Sequence, residues 1–217
     1  MIADPATYVA HPLHAPDRAY RETNCYTDVL IELLHSRGYE PVAGLGHLVR
    51  TDFEGDQFTF FKMPQGDIET LYGVDIHEMQ PVGALPDQIE EQIGRGRTML
   101  VELDSFYLPD TAATDYRRNH VKSTVAVEAV DQARETMRYF HNTGLHELSG
   151  EDYRGAFGLE ALQACAIADG AVFDHRDVER ATRQREAVRV QAVRGQGVQH
   201  VARHDLRTVD HPAALDR

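Results

Sequence analysis

The stretch HVKSTVAVEAVDQARETMRYFHN, residues 120–142, most constrains what this chain can fold into. Val121, Ser123, Val125 and Val127 alternate with their neighbours at the period of a strand, and ETMRYFHN follows after the short link DQAR. Two such runs joined by a tight turn predict an antiparallel hairpin. A hairpin alone is marginal in water, so the rest of the chain must supply further strands and a helix to cover one face.

The remaining segments meet that demand. Residues 21–38, RETNCYTDVLIELLHSRG, place Val29, Leu30, Leu33 and Leu34 at helical spacing before Gly38, with Thr23 or Asn24 able to cap the first turn. DQFTFFK (56–62) and VDIHEM (74–79) read as strands, and a short helix at 68–72 stops at Gly73. LPDQIEEQIGRG reads as a helix with Pro86 in its first turn and Gly94 and Gly96 to stop it, and TMLVELD (98–104) as a buried strand. Ser149 is a candidate cap for a helix with Asp152 three residues on, and LEALQACAIADG forms a further helix. The expected fold class is α+β, with the N-terminal helix packed on an antiparallel sheet. Residues 1–174 form the expected domain, and 175–217 an Arg-rich C-terminal extension, helical or poorly ordered.

Charge narrows the partners. The net charge is −13, and residues 1–174 carry 13 Lys+Arg against 29 Asp+Glu, a field that repels nucleic acid. No apolar run approaches the roughly 20 residues of a membrane span, and the N-terminus lacks a secretory pattern, so a cytoplasmic protein is expected. Cys25 and Cys165 lie too far apart in such a chain to suggest a disulfide framework. Cys165, among Leu162, Ala164 and Ala166, reads as core. His200 and His204 have the spacing of a helical metal pair but no accompanying acid, so no metal is expected.

Cys25 is the residue that asks for chemistry. A helix N-terminus places partial positive charge near sulfur, and a nucleophilic cysteine also needs a base and a group to orient that base. His120 and Asn142 lie near the same open end of the hairpin and can supply both. His141 should face the opposite side of its strand and is the alternative base. Asp104 borders the strand that should flank a cleft, Tyr107 belongs to an aromatic loop that can line one, and Arg117, Arg118 and Lys122 make a basic spot on an acidic body.

ETNCYTDVLIELLH, DFEGDQFTFFK, VELDSFYLPDT, YRRNHVKSTVAVEAVD and MRYFHN together resemble an uncharacterised bacterial family of cysteine-containing proteins encoded beside amino acid:carrier-protein ligases. That family is distantly similar to the butirosin acyl-ACP transferase and to papain-like bacteriocin-processing peptidases. The resemblance implies a papain-like fold, with Cys25 as nucleophile, His120 as general base and acid, and Asn142 as orienter. The peptidases' oxyanion glutamine is missing from RAYRE (18–22), so Asn24 would have to serve, a departure that favours acyl transfer over peptide hydrolysis. The expected activity is transfer of an acyl or aminoacyl group from a carrier-protein phosphopantetheine thioester to a small-molecule amine. Asp104, Tyr107, Arg117 and Arg118 would contact substrate or carrier, and no bound cofactor is expected. The alternatives are a thioesterase or amidase of the same fold, and a non-catalytic adaptor that binds a loaded carrier protein.

Overall fold

The computed structural model describes residues 4–15, 17, 25–50, 52–53, 55, 62–79, 82–159 and 190–195. Among the described residues four α-helices, α1 (Cys25–Ser36), α2 (Gln65–Tyr72), α3 (Leu85–Gly94) and α4 (Glu151–Ala156), accompany six strands. These are β1 (Val74–Met79), β2 (Thr98–Asp104), β3 (Lys122–Asp131), β4 (Thr136–His141), β5 (Gly144–Ser149) and β6 (Val190–Gly195). They form one open sheet in the order β1-β6-β2-β3-β4-β5, with every neighbouring pair antiparallel. The α+β class and the helix on an antiparallel sheet are therefore as expected.

Strand alternation divides the interior in two. Leu100, Ala126, Phe140 and Leu145 point to one face and pack against Val29, Leu30 and Leu33 of α1 and Ile68 of α2. Val101, Val125, Met137 and Tyr139 point to the other and pack against Ile89 of α3 and Tyr153 of α4. The sheet is thus covered on both sides, which explains why TMLVELD is apolar without alternation: β2 is a central strand, paired with both β3 and β6.

Two expectations are corrected, and one strand is added. Residues 190–195, assigned to a helical or poorly ordered extension, form β6 and lie between β1 and β2, because the two strands leave backbone donors and acceptors that only another strand can fill. GLHELS, to which the sequence patterning assigns no element, is β5 and pairs residue by residue with β4. Ser149 ends that strand, and the cap position of α4 belongs to Gly150 at φ +56°, where no side-chain cap forms. Most of DQFTFFK, the helix around Cys165 and the pair His200/His204 lie outside the described residues.

The helix α1 is buried almost all round, although its sequence carries Asp28 and Glu32. These acids face away from the apolar stripe, and residues 8–14 are strapped across them. Tyr8 Oη donates to Glu32 Oε2 at 2.5 Å, the His11 backbone N–H donates to Glu32 Oε1 at 3.1 Å, and the His14 ring bridges Glu32 and Asp28. Burial alone would lower the His14 pKa, but its bonds to Asp28 and Glu32 outweigh burial and push it up to about 9. An imidazole near 6.5 when unfolded and near 9 when folded stabilises the fold fully below pH 6.5, progressively less between 6.5 and 9, and not above. His11 and His146, lowered chiefly by burial, act in the opposite sense and only below that window. Urea unfolding should therefore show stability falling by on the order of 2–3 kcal/mol from pH 6.5 to 9. In His14→Gln the slope should be flat, and a wild type already flat would show that His14 is not held charged.

Candidate functional site

Cys25 is the first residue of α1 and is partly exposed. It opens into a cavity of about 280 Å³ between the start of α1 and the paired ends of β2 and β3. Glu102 comes from β2, Lys122, Ser123 and Thr124 from β3, and Lys62 and Tyr26 complete the wall. Lys122 Nζ lies 2.9 Å from Glu102 Oε1, and Lys62 Nζ sits 4.7 Å from the centroid of the Tyr26 ring. Two ammonium groups and one carboxylate, the latter paired with Lys122, thus stand beside a sulfur at a helix start.

His120 lies two residues before β3, next to this end of the sheet. Its Nδ1 is 2.6 Å from Asp104 Oδ2, its ring stacks on Phe106 at 4.3 Å with 12° between the planes, and its side chain is 64% exposed. The second Asp104 oxygen accepts from the Phe106 backbone N–H at 3.0 Å and fixes the turn at 105–107. With Nδ1 held by Asp104, Nε2 is the nitrogen left to exchange a proton.

Asn142 does not orient His120. It occupies the two-residue turn between β4 and β5 at φ +47°, and its Nδ2 approaches the ring of His141, 3.4 Å from Nδ1. The physical reason is strand register: Asp104 of β2 is paired with Lys122, which brings Asp104 to the chain end carrying His120, whereas β4 lies on the far side of β3. Neither His120 nor Asn142 lines the cavity at Cys25. Asn24 lies outside the described residues.

The other candidates are mostly engaged. The Tyr107 ring packs on Phe106 and against Gly155 of α4, where an added Cβ would come within 2.1 Å of it, so this ring serves the loop's packing rather than the cavity wall. Arg117 pairs with Glu151 at 2.8 Å and Asp152 at 2.6 Å, and lies over the Phe106, Tyr107 and Tyr116 rings. It is folded onto its own protein. Arg118 is exposed, 3.4 Å from the Ala113 carbonyl. Among the described residues no group of three or more His, Cys, Asp or Glu could hold a metal ion.

His141 faces away from α1, as the pleat requires, and joins a buried network that the sequence did not reveal. Ser123 Oγ lies 2.6 Å from His141 Nε2, His141 Nδ1 lies 2.6 Å from Asp110 Oδ2, and Tyr139 Oη donates to Asp110 Oδ1 at 2.6 Å. Burial would raise the Asp110 pKa, but the bonds and charge of His141, His146 and Tyr139 prevail and hold it below the usual carboxylate range. Burial and the adjacent Asp110 carboxylate push the Tyr139 hydroxyl well above its ordinary value. Ser123 and Lys62 were missed as site residues, because their placement depends on how the strands pair, which residue types do not state.

These features define an α+β protein with an open antiparallel sheet and a cysteine-containing cavity at the start of its first helix. The chain belongs to the family of the DUF1839 N-terminal domain, whose model matches residues 9–178. No curated protein matches the chain. Among the described residues no helix is long and apolar enough to cross a membrane.

Proposed function

We propose that this protein is a cysteine-dependent acyl or aminoacyl transferase of papain-like kinship, acting in the cytoplasm on a carrier-protein thioester in natural-product biosynthesis. The observation that supports this most is Cys25 at the start of α1, opening into a cavity walled by Lys62 and Lys122 with the His120–Asp104 pair at the same sheet end. A pantetheine arm carries a phosphodiester, and Lys62, with Lys122 beside Glu102, offers it a cation at the cavity.

His120 Nε2 takes the proton of the Cys25 thiol, and the sulfur bonds to the thioester carbonyl carbon. The carbon–sulfur bond to pantetheine then breaks, and its thiolate takes the proton back from His120. Exchange of one thioester for another costs little, and attack by an amine releases Cys25 and forms a more stable amide. His120 again moves the proton, from amine to sulfur. The exposure of the His120 side chain leaves Nε2 open to substrate while Nδ1 stays on Asp104.

Intact-protein mass spectrometry with an aminoacyl-loaded carrier protein is the test. The wild type should gain the acyl mass on Cys25, Cys25→Ala should not, and an added amine should discharge the adduct as amide. Discharge to free acid in the presence of amines would instead make the protein a thioesterase. A wild type that binds loaded carrier without acquiring any adduct would be an adaptor, and the transferase reading would be lost.

A further inference from the structure

We propose that Ser123, His141 and Asp110 form a second acyl-accepting relay, independent of Cys25, in which Ser123 is the nucleophile toward small carboxylic esters or thioesters. Three separate parts of the chain converge to build it: Ser123 near the start of β3, His141 at the end of β4, and Asp110 in the turn at 109–111 after β2. Both ring nitrogens of His141 are engaged in the order such a relay needs. Nδ1–H donates to Asp110 Oδ2 at 2.6 Å, which leaves Nε2 as the acceptor for the Ser123 hydroxyl at 2.6 Å. The Asp110 and His141 side chains are 5% and 1% exposed, so the base and its orienter are shielded from water. Ser123 is only half-buried, the one member of the three that a substrate can reach, and by strand alternation its side chain lies on the sheet face away from α1 and Cys25.

The Asp110 charge is braced as well. Tyr139 Oη donates to its other oxygen at 2.6 Å, and His146 Nε2 lies 4.0 Å from Oδ2. A polar tie serving only to join β3, β4 and the 109–111 turn needs neither a half-exposed serine at its end nor this donor order. In the reaction Ser123 Oγ bonds to the carbonyl carbon while His141 Nε2 takes the hydroxyl proton, then gives it to the departing alkoxide or thiolate. Water attacks the acyl-serine, its proton passes to His141, and the carboxylic acid leaves as Ser123 Oγ regains that proton.

The test uses the full chain and a fluorophosphonate probe, whose phosphorus accepts the serine oxygen with loss of fluoride. Peptide mapping should place one phosphonyl group on Ser123, in Ser123→Ala this label should be lost, and in His141→Gln its rate should fall at least 100-fold. Because His141 is buried and its variant can misfold, the wild type is also labelled in urea, where Ser123 should react no faster than any other serine. Absence of a Ser123 adduct on the folded wild type, or equal labelling of folded and unfolded chain, overturns the proposal.

Discussion

Glu32→Ala should destabilise this protein by roughly 3–5 kcal/mol, the cost of removing one partner from a buried charged network. Glu32 is fully buried and accepts from Tyr8 Oη, the His11 backbone N–H and the His14 ring. Alanine leaves a phenol, an amide and an imidazolium without their acceptor, in a place water does not reach, and leaves a hole where the side chain was. Asp28 cannot compensate, because it reaches only the far nitrogen of His14, at 3.3 Å, and its other oxygen is buried without a hydrogen-bond partner. The strap across α1 should loosen first, so limited proteolysis should cut within residues 4–15 before the sheet unfolds. Glu32→Gln should lose less, since its amide oxygen still accepts from Tyr8 or His11. A urea midpoint for Glu32→Ala within 0.5 kcal/mol of wild type would mean that the strap adds nothing to the fold.

That network also shows where sequence reading stops. The stripe Val29, Leu30, Leu33, Leu34 correctly gave α1 and the face it buries. The same periodicity is silent on the burial of Asp28 and Glu32, because nothing local says that a tyrosine and a histidine 18 to 24 residues upstream will cover them. VDIHEM and TMLVELD were legible to the residue and the helix in LPDQIEEQIGRG to within its last two, being bounded by Gly73, Pro86, Gly94 and Gly96, which fix element ends by local backbone preference. GLHELS and VQAVRG were not, since they are strands by virtue of the neighbours they pair with. The site divides the same way. Cys25 could be found from its position at a helix start, and Asp104 from its place at the end of β2. The pairing of Asp104 with His120 and of Ser123 with His141 depends on strand register, which residue types do not state.

Asp104→Asn should slow acylation of Cys25 by roughly 10²- to 10⁴-fold while leaving the protein about as stable as before. The asparagine Oδ1 can still accept the Phe106 N–H that shapes the 105–107 turn, so the loop should keep its form. At the other position, however, the carboxylate oxygen facing His120 Nδ1 becomes an amide N–H₂, which must donate. His120 then holds its proton on Nε2, the wrong tautomer for taking one from sulfur. Stability should barely change because the His120 side chain is 64% exposed, and a surface pair of this kind contributes little to folding. Asn142→Gly is the matching control: glycine accepts the positive φ of that turn, and removing the amide should change the acylation rate by no more than about 3-fold. The rates are read as growth of the Cys25 adduct by mass spectrometry. If Asn142→Gly is slow and Asp104→Asn is fast, the asparagine swings to His120 during turnover and the order read from the β2–β3 register is wrong.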